Sequence, residues 1–181
     1  MTQAKPFTPA KLICGMISGR EDAFRMAEER LVECFGPIDS RSPVFLFIAT
    51  DYYEKEMGPA LKRAFLSFKR LVPPDSLSAI KLQTNVLEGK IRAALAADDR
   101  VVNLDPGILT SSALIMATAK NFAHRVPLSG GIYAHLELLF IKTGVKTLDW
   151  TYPDFRSEHY WRFFLDVRKI YLDQLRGTNM P

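Results

Sequence analysis

At 181 residues, the chain has the length of a single domain and can bury a substantial core. Its 24 basic and 20 acidic residues are interspersed, so the net charge of +4 forms no basic block and argues against nucleic acid as the main ligand. No apolar run approaches the roughly 18 residues of a membrane-spanning helix, and the first residues lack the apolar region of a signal peptide. We therefore expect a cytoplasmic protein without a membrane segment.

The first part of the chain predicts a strand followed by a helix. After a flexible leader over residues 1–10, the run KLICGMI predicts a strand at Lys11–Ile17. Apolar residues then recur at helical spacing up to Phe35, and Gly36 with Pro37 ends the helix. The turn between the two elements carries neither G-x-x-x-x-G-K-[ST] nor G-x-G-x-x-G, so the sequence does not support a conventional GTPase or a Rossmann phosphate cradle.

A buried strand and a helix are predicted next. The near-continuous apolar run at Val44–Thr50 indicates a central strand. Pro59 suits the first position of a helix that continues to Pro73 and Pro74. The apolar residues at helical spacing in this helix are Leu61, Ala64, Phe65, Phe68 and Val72.

The segment Ser78–Gln83 is ambiguous between a strand and a helix. We favour a short strand, because Asn85 and Glu88 form a capping pair that would begin a helix after it. Leu87 and the apolar residues that follow it at helical spacing then form one face of that helix, which the pair of aspartates at 98–99 ends.

From Arg100 onward the pattern changes to strand-like alternation. Turns that contain Gly, Asn or Pro separate five predicted strands: Arg100–Leu104, Ala113–Lys120, His124–Leu128, Ile132–Ile141 and Val145–Trp150. Such close spacing favours antiparallel pairing. Ser157 then caps a last helix, and the tail at 177–181 is expected to fray. The elements together predict a single α+β domain over residues 1–181, with a mixed, largely antiparallel sheet flanked by about four helices.

A series of motifs in order resembles a known family over nearly the whole chain. The series comprises GMI, DYYEKEMG, LKRAFLSF, IKLQTNVLE, RVVNLDPGIL, LIMATAKNFAHRV, GGIYAHLEL and WTYPDFRS, followed by an Arg- and Tyr-rich helix. This pattern is similar to the bacterial family called domain of unknown function 4416. The resemblance implies no particular activity, and the missing Walker motif gives no support to the GTP-binding label that some members carry. Where the family has an acidic residue in a GIYAE-like segment, this chain has His135.

Three cationic groups stand close together in the segment AKNFAHR. Lys120 and Arg125 can each donate charge-assisted hydrogen bonds to a phosphate or a carboxylate, and His124 can transfer a proton near neutral pH. If the flanking strands form a hairpin, all three side chains lie at one end of it. A solvated hairpin tip shows similar residues, but the convergence of three types of donor favours an anion site.

Carboxylates follow two of the predicted strands. Asp105 lies in the apparent turn NLDPG and can hold Mg²⁺ beside a substrate phosphate, with Asn103 as a ligand-binding neighbour. Asp51 and Glu56 leave the predicted central strand and can join Asp105 at the metal, while Tyr52 can stack on a base or donate to a phosphate. The structural alternatives are a simple Asp-Pro-Gly turn and a helix N-terminus that attracts Glu56.

Tyr133, His135 and Glu137 alternate onto one face of a predicted strand, which can be open to solvent and makes Tyr133 a candidate ligand contact. Other chemistry has less support. The three histidines lack the HxxxH or HxH spacing of a dedicated zinc site, and no serine lies in a G-x-S-x-G elbow.

These candidates predict a protein that binds or acts on a phosphorylated or otherwise anionic small molecule, such as a nucleotide, with Mg²⁺. In this hypothesis the basic residues hold the anion, His124 and Asp105 carry the catalysis, and the other carboxylates complete the metal site. One alternative is a non-enzymatic module that binds a protein partner through Tyr52, Tyr53 and the last helix. A further alternative is RNA binding, which predicts affinity that falls steeply with salt.

Overall fold

Nine strands and four α-helices follow one another in the computed structural model, which describes residues 3–48 and 53–178. Two single-turn 3-10 helices lie at Pro74–Ser76 and Pro153–Arg156. In chain order the elements are β1 (Ala10–Ser18), α1 (Glu21–Phe35), β2 (Ile38–Arg41), β3 (Phe45–Leu46), α2 (Glu54–Met57), β4 (Lys62–Val72), α3 (Leu77–Ala94), β5 (Asn103–Leu109), β6 (Ala113–Thr118), β7 (Val126–Pro127), β8 (Tyr133–Ile141), β9 (Gly144–Thr147) and α4 (Glu158–Thr178).

The described strands form one open sheet in the order β2-β4-β1-β5-β6-β8-β7, with β3 beside β4 and β9 beside β8. All of these pairings are antiparallel. The α+β class with a largely antiparallel sheet is therefore confirmed, with three long helices and the single turn α2 beside it. Within the described ranges, no helix has both the length and the apolar character to cross a bilayer.

The two faces of the sheet bury different helices. On one face, α1 and α3 pack against Leu12 and Leu66, and Leu31 and Ile91 complete that core. On the other face, the aromatic stripe of α4 packs on Phe65 with the residues Tyr160, Phe163, Phe164, Val167 and Tyr171. The central strands β1, β4 and β5 are consequently covered on both sides, which fits their near-continuous apolar sequences.

The predicted helix after Pro59 is wrong, because residues 62–72 form strand β4. A strand buried on both faces is apolar at successive positions, and such a run also contains matches to helical spacing. The side chains of β4 alternate between the two faces of the sheet, with a period of two residues. Leu66 and Phe68 face the α1 and α3 side, whereas Phe65 faces α4.

The predicted central strand at Val44–Thr50 is wrong as well. Only Phe45 and Leu46 pair with β4, and residues 49–50 lie outside the described part of the chain. Val44, Leu46 and Ile48 are exposed by 61%, 72% and 89%, while Phe47 is buried. An apolar run becomes a central strand only where strands pair with both of its edges, and local sequence does not report its partners.

The predicted short strand at Ser78–Gln83 is the beginning of α3, which runs without interruption from Leu77 to Ala94. Its buried face includes Ile80, Thr84, Leu87 and Ile91, which recur at helical spacing when the segment is read through. The prolines before it begin the helix, because their fixed φ suits a first turn.

The predicted turn NLDPG lies inside strand β5, where the sheet divides. Strand β5 pairs with β1 along its whole length, from Asn103 to Leu109, but with β6 only from Gly107 onward. Pro106 has no N–H to donate to a neighbouring strand. At Gly107 an added Cβ would lie 2.4 Å from the sulfur of Met116, so this close approach requires glycine. The first residues of β5 therefore separate from the end of β6.

Side chains of α3 replace the missing strand at this division. The backbone N–H of Leu104 donates to Glu88 Oε1 at 2.7 Å, and its carbonyl accepts from Lys81 Nζ at 2.7 Å. A buried backbone group without a partner would destabilise the fold by about 1–3 kcal/mol. The helix therefore satisfies the strand edge and also brings two charged groups to the gap.

Candidate functional site

A cavity of about 560 Å³ opens at the end of the sheet where β5 and β6 separate. This volume lies within the roughly 300–1,000 Å³ of small-molecule sites. The cavity is lined by residues from α3, the starts of β4 and β5, the end of β6 and the 153–156 turn. Polar residues reach the cavity because each strand carries them at the same end of the antiparallel sheet, beyond its apolar centre.

Arg63 forms the buried floor of the cavity. It is 4% exposed, and the rings of Phe47, Phe65 and Phe155 lie 5.1–5.4 Å from its guanidinium carbon. Its two terminal nitrogens donate to Asp154 and, at 3.0 Å, to Asp105. Burial alone lowers the pKa of Arg63, but the two carboxylates outweigh burial and raise that pKa above its ordinary value. The floor is thus a charged group that its partners hold in place.

Asp105, predicted as a catalytic residue and a metal ligand, does line this cavity. It accepts from Arg63 and, at 2.6 Å, from the amide of Asn103, and Lys81 Nζ lies 3.6 Å from its other oxygen. Asn103, predicted to bind ligand, is also at the cavity but is only 3% exposed. Within residues 3–48 and 53–178, no three His, Cys, Asp or Glu side chains group as metal ligands. The metal role of Asp105 stays a prediction.

Two cations and a tyrosine form the mouth. The guanidinium carbon of Arg100 lies 5.8 Å from the ring centre of Tyr53, and Lys120 Nζ lies 5.9 Å from the same point. Arg100 also donates to Glu88 at 2.7 Å. The predicted anion-binding residue Lys120 is therefore on the cavity, and Arg100 joins it there.

The structure describes only some of the acidic and aromatic candidates in the segment before β4. Asp51 and Tyr52 lie outside the described residues. Glu56 lies 3.8 Å from Arg100, with its side chain about half exposed. Their neighbour Tyr53 lines the cavity, and burial raises the pKa of its hydroxyl above the ordinary value.

Arg125 lies behind the cavity wall instead of on it. It donates to the backbone oxygen of Lys120 at 2.7 Å, to Tyr152 Oη at 2.7 Å and to His135 Nδ1 at 3.2 Å. These three bonds anchor the segment that carries Lys120. Arg125 therefore positions another candidate residue, which differs from the predicted direct contact with the anion.

His124 and Tyr133 are also away from the main cavity. His124 stacks on Trp150, with ring centres 5.1 Å apart, in an adjoining shallow depression. Burial, followed by the charges of His135 and Arg125, lowers the pKa of His124. Tyr133 pairs with residues of β6 and β7 and is not among the lining residues. The predicted group Lys120, His124 and Arg125 is thus close in space but divided between two surfaces.

His135 and Glu137 are buried, at 1% and 0% exposure, so the predicted open strand face is wrong. The segment at 150–152 covers them, and the backbone N–H of Tyr152 donates to Glu137 at 2.7 Å. His135 Nε2 and Glu137 Oε2 are 2.9 Å apart but lack the alignment of a hydrogen bond. His135 lines the cavity and stacks on Tyr152, with ring centres 4.8 Å apart.

Sequence reasoning missed several residues of the site, namely Arg63, Lys81, Arg100, Tyr152 and Asp154. One signal was available. Arg63 begins the mostly apolar run 63–68, whose residues are all buried, and a buried arginine requires anionic partners. Asp154 had no such signal, because its aromatic surroundings are typical of a core hinge.

Comparison with known proteins identifies a family. The model of a family described as "Domain of unknown function (DUF4416)" matches residues 8–171. No curated protein and no solved structure matches the chain.

Proposed function

This chain belongs to the DUF4416 family, and from the geometry of its cavity we propose that it binds a phosphorylated or otherwise anionic small molecule. The observation that carries the proposal is the charge of the lining. Within the described ranges, four cationic side chains, Arg63, Lys81, Arg100 and Lys120, line the cavity together with two carboxylates. Both carboxylates, those of Asp105 and Asp154, pair with Arg63.

The two cations at the mouth are the ones that reach solvent. Lys120 is exposed, and the side chain of Arg100 is 29% exposed. Arg100 donates to Glu88 on the inner side, and burial raises the pKa of this carboxyl above its ordinary value despite the nearby Arg100 and Lys81. A phosphate or carboxylate between Arg100 and Lys120 gains charge-assisted hydrogen bonds from both.

Asp105, at the cavity, and His124, at the adjoining depression, are the predicted catalytic residues, and Asp105 is also a predicted metal ligand. Mg²⁺ takes carboxylates together with phosphate oxygens. Asp105 is the cavity carboxylate that sequence analysis named for this role, and two cations already neutralise it. His124 lies on the neighbouring depression. The proposal is therefore a ligand-binding site, with Mg²⁺ dependence left to the assay.

The partner-binding alternative loses part of its basis. It required Tyr53 at an outer surface, whereas this side chain lines the cavity beside two cations. The same tyrosine now supports small-molecule binding.

A thermal-shift and calorimetric screen tests the proposal. The purified chain is titrated with inorganic phosphate, polyphosphate, sugar phosphates and nucleotides, each with Mg²⁺ and with EDTA. A ligand at about 100 times its Kd adds roughly 2.7 kcal/mol of stability. At this chain length the corresponding rise in Tm is about 5–10 °C.

Lys120→Ala and Arg100→Ala are expected to weaken binding of the same ligand about tenfold or more, because each removes a charge-assisted contact. Lys146→Ala is the matched control, since Lys146 is an exposed lysine of β9 away from the cavity. If no anion binds, or if the cavity variants bind as the control does, the proposal is wrong.

A further inference from the structure

Among the described residues, two tyrosine rings form the accessible aromatic surface of the cavity. Phe47 and Phe155 also line it, but they are 6% and 2% exposed and serve to enclose Arg63. Tyr53 and Tyr152 are partly exposed at the same cavity. A ligand that enters from solvent therefore meets the two tyrosines before it meets the phenylalanines.

Neighbouring rings hold both tyrosines in fixed planes. Tyr152 stacks on His135, with an angle of 16° between the rings, and its hydroxyl accepts a hydrogen bond from Arg125 at 2.7 Å. Tyr53 packs against Phe47, with ring centres 6.0 Å apart. A side chain that is already ordered loses little conformational entropy when a flat group stacks on it.

The aromatic and cationic surfaces coincide at the mouth. Arg100 and Lys120 each lie within 6 Å of the centre of the Tyr53 ring. An anion that both cations bind must therefore sit beside this ring. The part of the ligand that is attached to the anion then lies next to the aromatic surface. A planar ring gains stacking energy there, whereas a flexible hydroxylated chain does not.

The inner wall also offers hydrogen-bond groups that suit a polar heterocycle or its sugar. Among the described residues, the polar neighbour of Asp105 Oδ1 is Lys81 Nζ at 3.6 Å, a distance that leaves this oxygen able to accept from a ligand N–H or O–H. Asn85 of α3 is exposed at the cavity and presents a carboxamide, which both donates and accepts. These are the groups with which proteins read base edges and ribose hydroxyls.

We propose that the anion bound at Arg100 and Lys120 is the phosphate of a nucleoside phosphate, whose base stacks against Tyr53 and Tyr152. This inference rests on the proposed function, because it names the ligand class of the same site. Stacking supplies the affinity that distinguishes a nucleotide from other phosphates, since every base has an aromatic face. The phosphate supplies the affinity that distinguishes the nucleotide from its nucleoside.

Calorimetry on the full chain separates these contributions. The probes are the 5′-monophosphates of adenosine, guanosine, cytidine and uridine, the four nucleosides, and ribose 5-phosphate, all at one low ionic strength with EDTA and again with Mg²⁺. At least one nucleotide is expected to bind roughly tenfold or more tighter than ribose 5-phosphate, in line with stacking of a base on an aromatic side chain. It is also expected to bind more tightly than its own nucleoside.

Paired variants show whether the ring is the cause. Tyr53→Phe keeps the aromatic face and is expected to keep the preference for nucleotide, whereas Tyr53→Leu is expected to reduce the preference to about twofold or less. Tyr152→Leu repeats the measurement at the second ring, in case the first variant does not fold. Tyr133→Leu removes a tyrosine outside the cavity and is expected to retain the full preference.

The results distinguish failure of the nucleotide inference from failure of the proposed function. If ribose 5-phosphate binds as tightly as every nucleotide and Lys120→Ala weakens both, the anion site stands and the nucleotide inference is overturned. An unchanged preference in both leucine variants overturns it too. If neither a nucleotide nor a sugar phosphate binds, the inference fails together with the proposed function.

Discussion

Lys11 of β1 and Arg63 of β4 are two cations buried in neighbouring strands, and their surroundings differ. Lys11 is fully buried and donates to Asp39 and, at 2.8 Å, to Gln174 of α4. Asp39 also accepts from the hydroxyl of Ser67 at 2.6 Å. This network joins the sheet to the end of α4. The role of this network is structural.

Arg63 is held just as firmly but borders open space. Asp105 and Asp154 bind its terminal nitrogens, three aromatic rings surround it, and the cavity begins at its surface. A buried ion pair therefore does not by itself mark a binding site. The distinguishing feature is unoccupied volume beside it, with further cations at the entrance.

The largest effect is expected for Arg63→Met. Removal of the guanidinium leaves the partly buried carboxylates of Asp105 and Asp154 without their shared partner, and breaking a buried ion pair typically costs about 3–5 kcal/mol. Urea unfolding followed by circular dichroism measures the loss. Arg63→Lys should recover only part of it, because one ammonium does not reproduce two separate guanidinium donors. Wild-type stability in the methionine variant would contradict this role for Arg63.

Lys11→Met is expected to cost less, roughly 1–3 kcal/mol, through a lost charged hydrogen bond. Asp39 retains Ser67 and its side chain is 15% exposed, so its charge stays solvated in part. The variant should bind anions as the wild type does. A loss of anion binding without a loss of stability would contradict the division between a structural and a ligand-binding cation.

The pH dependence of stability is a further test of the structural role of Lys11. Burial, the largest influence, lowers the pKa of Lys11 below its ordinary value of 10.5 despite Asp39. Between the lowered pKa and 10.5 the unfolded chain binds more protons than the folded chain, so the free energy of unfolding attributable to Lys11 rises as the pH rises through this window. The difference in stability between wild type and Lys11→Met, measured by urea unfolding at a series of pH values, should grow accordingly. A flat difference would count against a lowered pKa.

The smallest change in stability is expected for Lys120→Ala. Lys120 is exposed, and substitutions at such positions usually leave stability within about 0.5 kcal/mol, or 1–2 °C in Tm at this chain length. Differential scanning calorimetry of the unliganded protein measures it. Substantial destabilisation would mean that Lys120 holds the fold together, and its effect on binding would then be indirect.

Sequence patterns identified the elements with an unambiguous period. Strand β1, helix α1 and helix α4 are confirmed close to their predicted ends, because α1 and α4 bury one clear stripe each and β1 is a short apolar run that a turn ends. The pattern failed at β4, where burial on both faces removes alternation. It failed again at Val44–Thr50, where pairing with distant strands decides the outcome.

The sequence also predicted part of the site. Lys120, Asn103 and Asp105 were identified because polar residues lay at the ends of apolar runs, and the structure brings all three to one cavity. Arg63 and Lys81 were missed because each lies within an element that was assigned to another type. Local sequence also gave no indication that β5 and β6 separate, which depends on the tertiary pairing of two strands.

Pro106 links the stability of the sheet to the existence of the cavity. A proline in a central strand removes one ladder hydrogen bond, worth about 0.5–1.5 kcal/mol, and here the ladder between β5 and β6 ends at that residue. A residue with an N–H at this position would favour a longer ladder, and a longer ladder would draw the walls of the cavity together. The fold therefore contains a trade-off in which a more regular and more stable sheet would be one with less room for a ligand.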